Sequence, residues 1–276
     1  MIDGKEVSIA ISDGMITYKG ENIDKKLYNV DDSGTLSIKD NILFKQNRNI
    51  TIPSKLDGKT VTKIANNCFK DTNIEYVNIP SSITTIGSGA FSGCSDLKEI
   101  VMPCYFPDGG LSSDSFLNLD SLNKITLISS KNSNKMVDNR NMPWYKTKTV
   151  SGIELTIGDG VTEIGQASFA DQESIKSVKM SETVKYVGVW AFSSATGLTG
   201  VEMKGVTTID TMAFVNCVKL GESKAQIVIP STVKTINGNV FGGCGAITII
   251  FEGDRSKISI DSTWLGDNTS AIVKNK

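Results

Sequence analysis

The 276 residues contain no histidine. That absence removes Ser-His and Cys-His nucleophile pairs, an imidazole general base and every His-ligated zinc or iron centre. Net charge is nearly lacking as well: 29 Lys plus Arg against 30 Asp plus Glu leave −1 at pH 7. Nucleic acids and anionic membranes are drawn to clustered positive charge, so neither is an expected partner. Apolar runs are short, Ile249-Ile250-Phe251 being typical, and none is long enough to cross a bilayer. The five cysteines are an odd number in a chain too large to need disulfide staples, and no Cys-x-x-Cys pair occurs. What is present, 39% apolar and 21% charged residues, describes a folded chain rather than a disordered one.

Self-similarity decides the fold class. Aligned on phenylalanine, one template recurs six times: apolar, two residues, apolar, four residues, Phe. The copies are Val61/Ile64/Phe69, Ile83/Ile86/Phe91, Val161/Ile164/Phe169, Val184/Val187/Phe192, Val206/Ile209/Phe214 and Val233/Ile236/Phe241. Phe116 marks a degenerate seventh. A second template follows each Phe: Leu97, Ile100 and Met102 after Phe91; Leu122, Ile125 and Leu127 after Phe116. Ile175, Val178 and Met180 follow Phe169, Leu198, Val201 and Met203 follow Phe192, and Ile74, Val77 and Ile79 follow Phe69 one residue early. This is a Leu-x-x-Leu-x-Leu pattern whose closing alternation makes a short strand with one buried face. Pro53, Pro80, Pro103 and Pro230 each directly follow the last apolar residue of such a strand. Proline cannot donate to a ladder, so it stands where the strand stops and the chain turns.

Three cysteines keep the same phase. Cys94, Cys217 and Cys244 lie three residues after the repeat Phe, where other copies carry Thr72, Leu119, Gln172 and Ala195. They read as small buried reduced thiols, since equivalent residues of stacked turns have parallel Cβ vectors, a poor geometry for a Cys217–Cys244 bridge. Cys68 and Cys104 fall outside the phase.

With the repeat laid out, Ile79 to Ile100 (Ile-Pro-Ser-Ser-Ile-Thr-Thr-Ile-Gly-Ser-Gly-Ala-Phe-Ser-Gly-Cys-Ser-Asp-Leu-Lys-Glu-Ile) resembles the BspA-like, or Treponema-type, leucine-rich repeat. Ile157-Gly-Asp-Gly-Val-Thr-Glu-Ile-Gly165, the lead-in Met142-Pro143-Trp144-Tyr145 and the opening Ile52-Pro53-Ser54-Lys55-Leu56 are similar to the same family. The resemblance runs from residue 50 to about 252 and departs from the family pattern at Phe116, preceded by Asp108-Gly109-Gly110, and in the insert Gly221 to Gln226. It implies a bacterial surface or secreted protein engaged in adhesion to host proteins or other cells, hence an extracellular or cell-surface location. Met1-Ile2-Asp3-Gly4-Lys5-Glu6 shows no basic segment leading into an apolar one. The export signal that the family implies is therefore expected to have been trimmed from this chain.

The expected fold is a repeat solenoid, a right-handed, β-rich leucine-rich-repeat superhelix of about nine rungs of short parallel strands with few or no regular helices. Residues 1–48 are expected as an N-terminal β cap, with strands at Thr35–Ile38 and Ile42–Phe44 and a hairpin turn at Asp31–Gly34. Repeats fill 49–128, a polar loop 129–152, a second block of repeats 153–252 and a C-terminal cap 253–276 plugged by Trp264, all in one continuous solenoid. Trp144 and Tyr145 are expected to fold the loop back onto the core. Trp190 is read as packing inside its turn.

Function should sit where strand residues alternate outward from the buried ones. The candidate ligand-binding residues on this concave face are Tyr76, Asn78, Glu99, Lys124, Thr126, Ser177, Lys179 and Glu202, with Val101, Gly200, Gln226, Val228, Thr248 and Ile250 in the same row. Tyr76 is the most anchor-like. The mixture has no dominant charge and points to protein, or to glycan, as partner. Enzymatic motifs fail one by one. Gly158-Asp159-Gly160 has no following helix to bind phosphate, the Asp3, Asp13 and Asp31-Asp32 spacings make no calcium loop, and no carboxylate dyad is singled out. Asn49-Ile50-Thr51 and Asn268-Thr269-Ser270 are formal glycosylation sequons without weight in a bacterial protein. The expectation is thus a non-enzymatic protein-recognition and adhesion module without cofactor or metal; a structural spacer or assembly domain of a larger surface or virion protein, or a glycan-binding module, is the alternative.

Overall fold

The computed structural model describes residues 9–12, 15–18, 21–22, 27–39, 48–138, 141–146, 152–222 and 226–276. The chain winds as a β-solenoid of about nine turns, with parallel strands and almost no helix. Parallel pairing follows directly from the repeat, because each turn brings the chain back alongside its own equivalent one strand spacing on, ~4.8 Å away.

The Leu-x-x-Leu-x-Leu segments form the main ladder. Seven strands hydrogen-bond in the order Asn49–Thr51, Tyr76–Asn78, Glu99–Pro103, Lys124–Ile128, Ile153–Ile157, Ile175–Met180 and Gly200–Met203. Beyond the insert Gly221 to Gln226, three more continue in parallel: Gln226–Ile229, Thr248–Phe251 and Ile272–Asn275. The side chains follow the expected alternation; in Glu99–Pro103, Ile100 and Met102 are buried while Glu99 and Val101 are partly exposed. The short strand at Ser259–Ile260 and the one at Ile272–Asn275 carry both ladders on into residues 253–276, with Trp264 buried between them.

The Ile-x-x-Ile template forms a second ladder, which alternation over so few residues does not announce. Its two-residue strands include Lys63–Ile64 and Thr85–Ile86 in one sheet, and Glu163–Ile164, Tyr186–Val187, Thr208–Ile209 and Thr235–Ile236 in another. Single bridges Ile86 to Leu111 and Lys135 to Glu163 extend this ladder between the two sheets. At the N-terminal end Thr35–Ile38 pairs with Lys63–Ile64 and, antiparallel, with Tyr28–Val30, the two joined by the turn at Asp31–Gly34. The strand expected at Ile42–Phe44 lies outside the described residues. Ile9–Ser12, Met15–Tyr18 and Glu21–Asn22 form a small antiparallel sheet.

The third side of each turn is built on the repeat Phe. Its amide donates to the next turn, Phe69 to Ala90 at 2.7 Å, Phe169 to Ala191 and Phe192 to Ala213 at 2.8 Å. Reaching those acceptors takes left-handed residues two before and two after the ring: Asn67 and Asp71, Gly89 and Gly93, Ala167 and Asp171, Trp190 and Ser194, Met212 and Asn216, Asn239 and Gly243. The rings stack inside, with Phe69–Phe91, Phe169–Phe192 and Phe192–Phe214 centroids 5.0 to 5.1 Å apart and nearly parallel. Tyr28 closes this column edge-on at one end and Trp264 at the other.

Two tryptophans depart from the sequence reading. The stretch 129–152 does more than loop back: the short helix Pro143–Lys146 puts Trp144 into the aromatic column, 5.0 Å from Phe169. Met136 and Met142 are buried beside the same core. Trp190, expected to pack within its turn, points out instead and is 42% exposed. Its left-handed backbone turns the side chain away from the core that the following Ala191 and Phe192 fill. The in-phase cysteines are buried free thiols, as are Cys68 and Cys104. Cys94 donates to the Phe69 carbonyl at 3.0 Å, Cys217 to that of Phe192 and Cys244 to that of Phe214 at 3.1 Å.

Candidate binding surface

All eight candidate residues fall on the seven-stranded ladder, in two rows set by strand register. One row runs Tyr76, Glu99, Lys124, Glu154, Ser177, Gly200. The other runs Asn78, Val101, Thr126, Thr156, Lys179, Glu202. Neighbours along a row are one strand spacing apart, so an extended partner would meet them in that order.

Glu154 and Thr156 were missed by the sequence reading. Their strand, Ile153–Ile157, follows the interrupted stretch and has no repeat Phe before it. The alternation of Ile153, Leu155 and Ile157 was the available signal, and Trp144 stands in for the absent Phe. Between Ile153 and Glu154 the register shifts by one, leaving Lys176 of the next strand unpaired, and Leu155 stays opposite Ile125 and Val178.

Charges on and beside this face are paired rather than massed. Lys124 Nζ lies 3.0 Å from Glu99, and Lys204 Nζ lies 3.4 Å from Glu202. At the N-terminal edge Arg48 bridges Glu75 at 2.7 Å and Asp96 at 2.8 Å, while Lys98 shares Glu75 at 3.2 Å. These pairs are solvent-accessible and contribute little stability, but they hold long side chains in fixed places and neutralise the surface locally. Tyr76 is half-buried; desolvation pushes its phenol above the ordinary value, the Glu99 carboxylate adds to the rise and Lys124 opposes it. Toward the other end a shallow open groove of about 490 Å³ is lined by Thr156, Lys179, Glu202 and Lys204 together with the turn residues Asp159 and Ser181. Such a face offers hydrogen-bonding groups, paired charges and the aromatic ring of Tyr76.

The chain is similar to several solved structures. A structure of a leucine-rich repeat protein from Bacteroides ovatus is 20% identical with a TM-score of 0.46, covering 90% of this chain and 65% of its own. The chain thus spans less than two thirds of that protein. The Treponema pallidum leucine-rich repeat protein is 22% identical over 71% of this chain and 88% of its own, with a TM-score of 0.40. A leucine-rich cell surface protein from Faecalibacterium prausnitzii is 17% identical over 94% and 99%, with a TM-score of 0.29. No curated protein matches the sequence at a significant level. The profile of the BspA-type leucine-rich repeat region matches residues 26–139 and 144–263, in six copies, and the chain belongs to that family.

Proposed function

We propose that this chain is a non-enzymatic recognition module of a bacterial surface or secreted protein, which binds a host or neighbouring-cell protein across the concave ladder. The observation that carries the reading is the register: two rows of outward side chains, held at one strand spacing over six strands, make a largely polar face with Tyr76 at one end. Solenoids of this kind use such faces because each turn adds one more contact column without altering the core. Local pairing of charge favours a partner recognised by shape and hydrogen bonding over a polyanion.

The test is binding of the purified chain to an array of extracellular-matrix proteins, plasma proteins and cell-surface proteins, alongside a Tyr76→Ala, Lys124→Ala, Lys179→Ala triple variant. Saturable binding lost in the variant, with its melting temperature kept, supports the concave site. Binding that survives the triple substitution places the contact elsewhere. Binding to none of the arrayed proteins favours a structural spacer instead.

A further inference from the structure

Among the described residues the main ladder is interrupted at one place. Gly200–Met203 ends the seven-stranded sheet, Gln226–Ile229 begins the three-stranded one, and no ladder joins the two. The cause is a change of length. The repeat Phe and the last apolar residue of its strand stand 11 residues apart at Phe91/Met102, Phe116/Leu127, Phe169/Met180 and Phe192/Met203, but 15 apart at Phe214/Ile229. The four extra residues fall between Leu220 and Ile227, where the chain enters the strand. In other turns the residue at that entry donates its amide to the turn before: Lys98 to Glu75 at 2.8 Å, Asn123 to Lys98 at 3.0 Å and Thr199 to Lys176 at 2.8 Å. Here its counterpart is Gly221, which reaches the Thr199 carbonyl at 3.5 Å, and the strand starts only at Gln226.

The core registers the gap. Val201 is partly exposed, whereas its counterparts Val77, Ile100, Ile125, Leu155 and Val178 are at 1% or less. The Phe214–Phe241 step is the widest between stacked rings, 5.7 Å against 5.0 to 5.5 Å. The other two sides of the same turns stay joined. Thr208–Ile209 pairs with Thr235–Ile236, and the Met212, Phe214 and Asn216 amides donate to Gly238, Val240 and Gly242 at 3.0, 3.0 and 2.8 Å. Each turn of a solenoid contacts only its neighbours, so no distant element splints the open side. Two joined sides and one open side make a hinge: rotation about the joined sides widens or narrows the third without breaking a ladder.

We propose that the solenoid is hinged between Met203 and Gln226, so that the turns after the gap swing against those before it and change the curvature of the concave face. The gap also divides that face by chemistry. Before it the outward residues include Glu99, Lys124, Lys179 and Glu202; after it stand Val228 and Ile250, paired in register, and Ile272. On the concave-face reading of function, a partner that spans both parts sets the hinge angle by binding; the hinge itself does not depend on that reading.

Hydrogen exchange and spin-label distances test it without any ligand. In the parent chain, amides of Val201–Met203 on the open side should exchange about tenfold faster than those of Val178–Met180, which are paired on both sides. Labels on Thr126→Cys and Thr248→Cys span the gap. Labels on Thr51→Cys and Ser177→Cys span the same five strand steps, roughly 24 Å, within the unbroken sheet. The native cysteines are buried, and the parent carried through the same labelling supplies the blank. The expected result is a broad distance distribution across the gap and a narrow one for the control pair. Deleting residues 222–225 restores the 11-residue spacing and should narrow the first distribution to match the second. Equal protection of the two strands in the parent overturns the proposal, and so do equally narrow distributions for the two label pairs. Both of those readings come from the parent sequence length, so a deletion variant that fails to fold leaves the test intact.

Discussion

The indole of Trp144 lies 5.0 Å from the ring of Phe169, tilted by 43°, and takes the place of the Phe that the repeat lacks there. It stands 28 residues after Phe116 and 25 before Phe169, so the 53-residue gap in the Phe spacing is two turns rather than a break. Trp144 is buried, and its Nε1 has no partner among the described residues. Trp144→Ala should therefore cost about 3–5 kcal/mol through the cavity it leaves. Trp144→Phe loses some volume but also removes a buried unsatisfied donor, a group that costs about 1–3 kcal/mol. The second variant is expected within about 1 kcal/mol of the parent. Urea unfolding of both decides the matter; a Trp144→Ala midpoint equal to the parent's would contradict its place in the column.

Phe192 tests the column where it is regular. It is buried and stacked on Phe169 at 5.0 Å and on Phe214 at 5.1 Å. Phe192→Ala should destabilise the solenoid by about 3–5 kcal/mol, since two flat neighbours fixed by backbone ladders cannot collapse into the space. An unchanged melting temperature would place the ring outside the core.

The main ladder and the aromatic column were legible in the sequence because both depend on a buried side chain repeating at a fixed phase. Val77, Ile100, Ile125 and Val178 announce strands by their spacing, and Pro53, Pro80 and Pro230 mark where those strands stop. The second ladder was not legible, since a two-residue strand such as Tyr186–Val187 has too few positions to show alternation. Trp190 was misplaced for a related reason: its outward turn comes from a backbone dihedral, which leaves no trace in side-chain chemistry. In the candidate surface, Tyr76, Glu99 and Lys124 could be aligned from the repeat alone, whereas Glu154 and Thr156 lie on a strand that the alternation of Ile153, Leu155 and Ile157 announces but no repeat Phe aligns.

Cys68, Cys94 and Cys104 should be inert in the folded state. Burial pushes Cys68 up to about 12 and Cys94 and Cys104 up to about 11, so almost no thiolate is present at neutral pH. Ellman's reagent at pH 8 is expected to titrate none of the three in the native protein, and all five cysteines in urea. Rapid native labelling of Cys94 would mean that its turn is open to solvent.

Tyr186 carries an alkaline signature. Its hydrogen bond to the Asp210 carboxylate, together with burial and the charge of Asp210, raises the phenol from 10.0 to about 12. A raised pKa means that the protonated form is favoured on folding. This contribution is whole below the unfolded value near 10 and is lost as pH climbs through about 12. Absorbance titration at alkaline pH should show a late-ionising tyrosine in the parent that is missing in Tyr186→Phe. The parent's stability advantage over that variant should shrink across the same window. A variant that leaves the late component in place would assign it to another tyrosine.

Left-handed positions allow one backbone effect to be tested with both signs, at Ala167 beside the Phe169 ring and at Gly58 in the hairpin turn between Lys55–Leu56 and Lys59–Thr60. Ala167 sits at φ 53° and Gly58 at φ 78°, the latter with nothing within 4 Å of where a Cβ would stand. An L residue in this region costs about 1–2 kcal/mol relative to glycine, whereas glycine gives back about 0.4–1 kcal/mol through the entropy of the unfolded chain. Ala167→Gly should therefore stabilise by roughly 0.5–1 kcal/mol, and Gly58→Ala should destabilise by about the same amount. The measurement is the urea midpoint at constant m-value, which isolates stability from changes in exposed surface. Both variants shifting the same way would mean that side-chain contacts, not the dihedral, control these turns. Opposite shifts would establish that the left-handed dihedral, rather than side-chain contact, sets the cost at both positions.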